Sequence, residues 1–441
     1  IYAMPPMVRV TMLALGQVAA ETVEFGRMAG CTRRQMTWKV LVPSARAALM
    51  VGVNQVIMLS LNMVIIASMI GAGGLGFDVL DSLKRLDIGK GFEAGVSITL
   101  LAIALDRLSQ ALARRAPPVQ APTSAGLVAR HRILLAAALL VVVPTVLGPV
   151  VPVLDRFPDA WTLTTGPLWS SLVEWINVHF FDTLDAIKTA LILNVLVPIK
   201  RALAAVPWWA VLAAGALAGL RLGGVRLALA TAALILFIAA TGNWEKAMIT
   251  VYLVGVSVVI ATAIGFPIGI LAADHPRVDR VVQVIIDTLQ TLPSFVYLIP
   301  VVMLFRVGEF SAIVAVVAYA VAPAVRYTVL GLRQVPPTLI EAARAAGCSR
   351  GQVLRKVRLP LALPEIMLGL NQTIMMALSM VVITALVGTR DLGQEVYIAL
   401  AKADTGRGLV SGVCVAFIAI AVDRLIASWA TARKRALGLA P

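Results

Sequence analysis

The chain has 441 residues, of which 60% are hydrophobic and only 14% are charged, and its mean hydropathy is +0.91. Soluble domains have about a quarter of their residues charged, so this composition excludes an ordinary soluble protein and favours a polytopic membrane protein. The net charge is +15, but Lys and Arg fall in short loops between apolar runs, which indicates positive-inside topology rather than nucleic-acid binding.

Apolar runs predict about ten membrane-spanning helices, and therefore an all-α fold. Most runs contain no charged residue, and the long run 281–305 contains a single acid, Asp287. Such an acid is a functional candidate, although pairing with an arginine or snorkelling explains it equally well. In chain order the predicted spans are 49–77, 91–105, 133–154, 202–220, 225–240, 247–273, 281–305, 310–325, 366–387 and 408–422.

The distribution of basic residues predicts the direction of each span. When every basic loop is assigned to the cytoplasm, the chain starts inside and, after about ten spans, also ends inside. The external stretch 161–200 then contains apolar residues at helical spacing, typical either of an interfacial amphipathic helix or of a packed scaffold helix. The basic loops are 27–39, 114–132, 221–226, 277–280, 326–358 and 433–435.

The sequence repeats itself at an offset of 317 positions, without a gap from residue 2 to about 113. Asn54-Gln55 falls on Asn371-Gln372, and Asp106-Arg107 falls on Asp423-Arg424. Apolar bias does not produce such polar matches, so we expect a parallel tandem duplication. The predicted domains are a truncated first copy (1–115), a linker with extra spans and an amphipathic segment (116–240), a complete second copy (241–432) and a basic tail (433–441).

A loop with the same spacing precedes a span in each copy. The second-copy loop has Glu341-Ala342-Ala343, then Gly347, then Pro360 thirteen positions later. These residue types predict a short helix, a turn at Gly347, and a second short helix that Pro360 stops, the two helices lying at right angles. We expect Ser349 to cap the second helix through Gln352. An ordinary amphipathic loop is the alternative on composition alone.

In the first copy the corresponding residues are Glu24, Gly30 and Pro43. Phe25 and Gly26 replace the two alanines there, which predicts a less helical loop.

The full spacing resembles the coupling loop of ATP-binding-cassette (ABC) importer permeases. In that family the loop's first helix docks on a separate ATPase subunit, so the resemblance implies that Glu341, Ala342, Ala343, Gly347 and Pro360 transmit ATP-driven closure. It implies the same role for the first-copy residues, which are Glu24, Gly30 and Pro43. Because Phe25 and Gly26 replace the alanines, the docking surface there is expected to be less helical or to bind less tightly.

A closer resemblance covers about residues 160–430 and 2–115. The strings 287–293, 295–300, 359–364 and 371–383 resemble permeases of the glycine betaine/proline betaine (quaternary-amine) importer family. This implies the type I ABC importer transmembrane-domain fold in tandem, in the bacterial inner membrane, with a cytoplasmic C-terminus. It also implies two cytoplasmic ABC ATPase subunits and a periplasmic quaternary-amine binding protein as partners, besides membrane lipid, and uptake of osmoprotectants.

Polar and aromatic residues of the spans are candidates for the translocation path. Asn371 and Gln372, like Asn54 and Gln55, fit either interhelical hydrogen bonding or a path-lining role. Tyr297 offers an aromatic face for a quaternary ammonium, although packing is the simpler reading. Pro293 and Pro300 are expected to break the predicted span 281–305, and helix breaks of this kind often border a gate.

The sequence contains no P-loop, no nucleophile–base set and no metal-ligand spacing, and Cys31, Cys348 and Cys414 form no pairing pattern. We therefore expect a non-enzymatic permease that binds no cofactor or metal itself, with ATP and Mg²⁺ on the partner ATPase. The chain begins with Ile1, so we expect an N-terminal truncation. An ion-coupled secondary transporter, an ABC permease for another small polar solute and a membrane osmosensor are the alternatives.

Overall fold

A computed structural model describes residues 4–114 apart from 70 and 86, five positions between 139 and 145, residue 162, and residues 164–436 apart from 292 and 293. All regular structure in these residues is helical, which confirms the all-α prediction. The chain divides into two compact units, Ile1–Leu59 with Ala104–Trp169 and Ser60–Ile103 with Ser170–Pro441. The domain boundaries inferred from the sequence stay predictions.

The helices of the first 114 residues include two of only three residues. They are α1 (Met4–Gly16), α2 (Ala20–Met28), α3 (Arg33–Gln35), α4 (Val42–Ser44), α5 (Arg46–Met69), α6 (Leu75–Arg85) and α7 (Ile88–Arg114).

The helices from residue 166 onward form most of the second unit. They are α8 (Gly166–Leu191), α9 (Val197–Ala204), α10 (Trp208–Ala240), α11 (Trp244–Asp274), α12 (Pro276–Thr291), α13 (Leu298–Phe305), α14 (Glu309–Arg333), α15 (Pro337–Ala345), α16 (Arg350–Val353), α17 (Leu359–Thr384), α18 (Leu392–Ala401) and α19 (Thr405–Ala436).

Helix boundaries recur at the offset found in the sequence. The bounds of α2 and α15 differ by 317 at both ends, and the starts of α6 and α7 differ by the same number from those of α18 and α19. Local structure therefore follows the sequence repeat through its helices.

Within the described residues, six helices are long and apolar enough to cross a membrane. They are α5, α10 taken over both of its halves, α11, α14, the continuous run Arg350–Val387, and α19. Most of the predicted span 133–154 lies outside the described residues. The predicted span 91–105 is helical as part of α7, which is not among the six.

The predicted span 281–305 is not one straight helix. Pro276–Gln290 and Phe295–Phe305 meet at 101°, so they form either a broken span or a re-entrant loop. The Tyr297 hydroxyl donates to the Leu289 carbonyl across this bend. The prediction of a break was correct, but Pro300 lies within α13 and does not interrupt it. The prediction of a single span between 281 and 305 also needs this correction.

Helix α10 is a hairpin of two antiparallel halves, as the sequence predicts, but its first half begins at Trp208 and residues 202–204 belong to α9. Gly224 adopts φ 76° and ψ −168°, outside the helical region, which glycine tolerates best. The halves approach closely, since a Cβ on Gly219 would lie 2.8 Å from Ala228. The Thr231 hydroxyl also donates to the Gly215 carbonyl across the hairpin at 3.2 Å.

The core of the second unit is built where α11, α14 and α17 pack together. Close approach depends on glycines, because a Cβ on Gly265 would lie 2.7 Å from Ala324, and one on Gly269 would lie 2.7 Å from Thr328. Small residues four positions apart favour such packing of membrane helices, where no water drives association.

Helix α8 makes up most of the stretch 161–200, which the sequence predicts to be amphipathic. One face packs against the bundle: Asn177 donates to the Met303 carbonyl at 3.4 Å, and the Arg306 guanidinium lies 5.5 Å from the centre of the Phe181 ring. Trp175 is about half exposed. The contacts favour the packed-scaffold reading, and the exposed indole also suits headgroup depth.

Candidate functional site

The second-copy loop turns at Gly347, which has φ 81°. The Cys348 N–H donates to the Ala343 carbonyl at 3.0 Å, which satisfies the end of α15. Ser349 then caps the next helix: its Oγ accepts from the Gln352 N–H at 3.4 Å, and Gln352 Oε1 accepts from the Ser349 N–H at 2.8 Å. The turn and the capping box confirm the sequence prediction.

The first-copy loop has the same backbone structure. Gly30 has φ 73°, and the Cys31 N–H donates to the Gly26 carbonyl at 3.1 Å. Thr32 Oγ1 accepts from the Gln35 N–H at 3.4 Å, while Gln35 Oε1 accepts from the Thr32 N–H at 2.9 Å. Each partner lies 317 positions before its second-copy counterpart, so the two loops share one hydrogen-bond pattern.

Pro360 does not end a helix, contrary to the sequence prediction. Helix α16 passes through a π-helical turn, Leu354–Arg358, directly into α17. Proline lacks an N–H and its ring collides with the carbonyl four residues earlier, and a wider π turn relieves both conflicts. Pro43 likewise follows the π turn Met36–Leu41. Each loop thus has one separate short helix, and the second predicted helix is the start of the following helical run.

The replacement of two alanines by Phe25 and Gly26 does not break α2, which is helical to Met28. The expectation of a less helical first-copy loop was therefore wrong. A Cβ on Gly26 would lie 2.9 Å from the end of the flexible Met36 side chain, which would have to shift. At the offset of 317 the smaller Val353 replaces Met36, which is consistent with alanine at the second-copy position.

Both short helices are largely exposed, and Gly26 is the one buried residue of α2. Glu341 and Glu24 are exposed, and α15 has no buried residue. The first-copy loop also exposes large apolar side chains, with Phe25 at 70%, Met28 at 80% and Trp38 at 71%. Exposed apolar groups of this kind mark surfaces that contact another protein or a membrane.

Ion pairs tie the loop end of the second-copy bundle together. One joins the π turn of the loop to α11, one joins α12 to α14, and one joins α17 to α19. They are Arg358–Asp274 at 2.5 Å, Arg333–Asp279 at 2.8 Å and Lys434–Glu365 at 2.8 Å.

A second group of ion pairs lies at the opposite ends of the helices. Glu395 on α18 accepts from Lys246 at 2.7 Å and from Arg407 at 2.5 Å. Burial by itself would raise the pKa of Glu395, but hydrogen bonds from these two cations outweigh it and hold the pKa below the ordinary value. Lys200 pairs with Glu309 at the same end. Sequence reasoning missed this cluster because its members come from separate helices.

The candidate path residues do not converge. Asn371 is buried and donates to Asp423 on α19, whereas the adjacent Gln372 is exposed on another face of α17. In the first copy, Asn54 is half-buried and Gln55 is exposed. The contact of Asn371 fits interhelical hydrogen bonding, and the exposed glutamines keep the path-lining role as a prediction.

Tyr297 is buried, and its ring lies edge-on to Tyr319 with centroids 6.1 Å apart. Its hydroxyl is used at the bend between α12 and α13, so packing describes it better than a path. Pro293 lies outside the described residues. Asp287 pairs with Arg326, which agrees with the pairing alternative.

Ser379 is exposed on α17 seven residues after Gln372, hence on the same helical face. Its hydroxyl donates to the Met375 carbonyl at 2.9 Å.

The sequence profile of the family described as "Binding-protein-dependent transport system inner membrane component" matches residues 1–116 and 265–433, more than half of the chain. The chain belongs to this family. It is an ABC transporter permease with the type I importer transmembrane-domain fold, which confirms the predicted fold class.

Curated relatives refine this membership. The trimethylamine N-oxide transport system permease protein TmoV of Pelagibacter ubique is 42% identical over 100% of this permease, which spans 62% of TmoV. TmoV of Ruegeria pomeroyi is 40% identical over 100% of the chain, which spans 67% of that protein. The glycine betaine transport system permease protein OpuAB of Bacillus subtilis is 38% identical over 63% of the chain and 93% of OpuAB. Sequence reasoning anticipated the glycine betaine relatives but not the trimethylamine N-oxide ones.

Proposed function

We propose that this chain is the membrane-spanning subunit of an ATP-driven importer for small solutes that carry a trimethylated, positively charged nitrogen. The observation that carries the proposal is the pair of loops at Gly30 and Gly347, with one hydrogen-bond pattern and exposed short helices. Two equivalent docking surfaces fit two ATPase subunits, one on each loop. On this proposal the chain is a tandem of two permease copies in a bacterial inner membrane, with loops and C-terminus in the cytoplasm.

The continuous helical run behind the second loop supports a mechanical role. Arg350–Val387 has 38 residues, which at 1.5 Å per residue is about 57 Å, longer than the hydrocarbon core of a bilayer. A displacement of the loop therefore moves a span directly, without a hinge at Pro360. The Arg358–Asp274 pair passes the same displacement to α11.

Substrate recognition is proposed to belong mainly to a separate binding protein on the external face. A trimethylated nitrogen has no N–H to donate and is held by aromatic faces. Tyr252 and Tyr297 in the described spans are buried, and a path must bind weakly enough to release its cargo. Trimethylamine N-oxide and glycine betaine, named for the relatives, are the first substrates to test.

The test is uptake by proteoliposomes that contain this permease with its partner ATPase, supplied with a binding protein loaded with trimethylamine N-oxide or glycine betaine. Gly347→Pro should abolish ATP-driven uptake, because proline cannot adopt a positive φ, while the protein still inserts in the membrane. Gly351→Ala is the matched control, since Gly351 lies in α16 and a Cβ there meets nothing within 4 Å.

Normal uptake by Gly347→Pro would contradict the coupling role. Uptake without any ATPase, driven by a sodium or proton gradient, would instead establish a secondary transporter. Uptake of a different polar solute alone would retain the importer and reject the substrate class. A ligand response without flux would indicate an osmosensor.

A further inference from the structure

The first-copy helices α6 and α7 are covered by a segment of the second copy. This covering segment consists of the turn Ser294–Tyr297 and α13. Phe295 and Ile299 form one buried cluster with Val79, Leu80, Ala94 and Ile98. The segment lies directly on two glycines of α7, since a Cβ on Gly91 would be 3.5 Å from Ile299 and one on Gly95 would be 3.4 Å from Val296.

The second copy has the same two helices and the same glycines, but they are uncovered. Gly408 and Gly412 of α19 lie 317 positions after Gly91 and Gly95. They line an open groove of about 890 Å³ between α18 and α19, together with Val396, Ala399, Leu400, Leu409, Val413 and Ala416.

Side chains of the α6–α7 pair are less exposed than their counterparts on the α18–α19 pair. Leu83 is 9% exposed, whereas its counterpart Leu400 in the groove is 37% exposed. Thr99 is buried, whereas its counterpart Ala416 is exposed. The helices are equivalent, so what differs is the presence of the covering segment.

We propose that the α18–α19 groove is the seat of the first-copy counterpart of the covering segment. Each copy would then place this short apolar helix on the α6–α7 or α18–α19 pair of the other copy, in a reciprocal exchange. At the offset of 317 the counterpart of Ser294–Phe305 falls before residue 1. The two trimethylamine N-oxide permeases that align with the whole chain have additional length, since the chain spans 62% and 67% of them.

The groove suits such an occupant chemically. Its lining is mainly alanine, glycine, valine and leucine, with Asp404 and Thr405 as polar residues. A Cβ on Gly412 would meet no atom within 4 Å. The space beside Gly412 can therefore hold a branched side chain such as that of Val296 or Ile299. Small residues at four-residue spacing let the backbone of a second helix approach closely. The inference depends on the repeat and not on the transported substrate.

A photo-cross-linking experiment tests the seat directly. The probe is a synthetic peptide with the sequence of residues 294–305, carrying benzoylphenylalanine in place of Val296, added to the purified chain in lipid nanodiscs. Mass spectrometry should place the cross-links on residues 408–416. Gly412→Trp, which fills the groove, should reduce cross-linking to the level of a peptide with scrambled sequence. Gly255→Trp, at an exposed glycine of α11 with nothing within 4 Å, should not.

Cross-links that map elsewhere, or that form equally with the scrambled peptide, would overturn the proposal. Lipid would then be the occupant of the groove. Loss of cross-linking at the groove as the protein concentration rises would also overturn the proposal, because a second copy of the chain would then occupy the groove. Thermal unfolding gives an independent measurement. Gly412→Trp should lower the melting temperature of a longer chain that contains the counterpart segment, but not that of the 441-residue chain. Equal effects in both chains would count against the seat.

Discussion

Asn371 on α17 donates a hydrogen bond to Asp423 on α19, with Nδ2 and Oδ1 2.7 Å apart. Asn371 is only 5% exposed, and its own Oδ1 is buried without a hydrogen bond among the described residues. The same two residue types recur at Asn54 and Asp106. The contact therefore joins two spans at a position where an unpaired amide would be costly.

Replacing Asp423 by leucine should destabilise the permease by about 1 kcal/mol, the usual size of an interhelical hydrogen bond in a membrane. The measurement is the unfolding midpoint in mixed micelles. The double variant Asn371→Leu/Asp423→Leu should recover part of the loss, because no amide is then left unpaired. Full stability of Asp423→Leu together with lost uptake would instead favour a path-lining role.

The Arg358–Asp274 pair should matter more for coupling than for stability. Asp274 is 41% exposed and Arg358 is 15% exposed, so water still screens the carboxylate and the pair contributes about 1 kcal/mol or less. Arg358→Ala should therefore leave the melting temperature nearly unchanged but lower the stimulation of ATP hydrolysis by the loaded binding protein. The charge-swapped double variant Arg358→Asp/Asp274→Arg should restore it in part.

Arg85→Ala is the control for that experiment, because it removes an exposed pair with Asp81 on α6, far along the chain from the second loop. If the loaded binding protein stimulated ATP hydrolysis equally in Arg358→Ala and Arg85→Ala, the Arg358–Asp274 pair would have no role in coupling.

Asp391 predicts a pH dependence of stability. It precedes α18, outside the spans, and burial raises its pKa from 3.8 to about 6, although the Gln394 N–H and the Thr389 hydroxyl donate to it. Because the folded-state pKa is the higher one, the fold favours the protonated acid. The resulting stabilisation is complete below pH 4 and is lost as pH rises through 6, on the order of 3 kcal/mol.

Asp391→Asn cannot titrate, yet asparagine still caps a helix well. The variant should therefore be about as stable as the parent at pH 4 and more stable at pH 7. Melting temperatures of both proteins across this range test the prediction. Parallel curves would show that Asp391 does not titrate in the fold over this range.

The sequence predicted the backbone structure of the loop correctly where residues with strong local preferences lie at fixed spacing. Gly347, Ser349 and Gln352 predicted a turn and a cap because each has a strong local preference that needs no distant partner. The prediction at Pro360 was wrong for a related reason, because the preference of proline to end a helix is also local. The sequence contains no recognised signal for the π turn that accommodates Pro360 within a continuous helix. The loop was thus predicted well up to Gln352 and wrongly beyond it.

The groups that tertiary contacts decide were out of reach. Glu395 meets Lys246 and Arg407 only after three helices pack, and Asp391 is buried by the same packing. Tyr297 suggested a substrate site by residue type, yet its hydroxyl is used at a bend that periodicity did not resolve.

Helix α11 offers a matched pair of glycines for testing the core. A Cβ on Gly269 would lie 2.7 Å from Thr328 Cβ and 3.0 Å from the Val325 carbonyl, so Gly269→Ala forces α11 and α14 apart. Such overpacking costs about 1–3 kcal/mol. Gly255 has nothing within 4 Å, and alanine there should stabilise the helix by up to about 1 kcal/mol through propensity. Opposite shifts of the unfolding midpoint are therefore expected from the same substitution in one helix. Shifts of the same sign and size would mean that helix propensity, and not the close contact with α14, decides both positions.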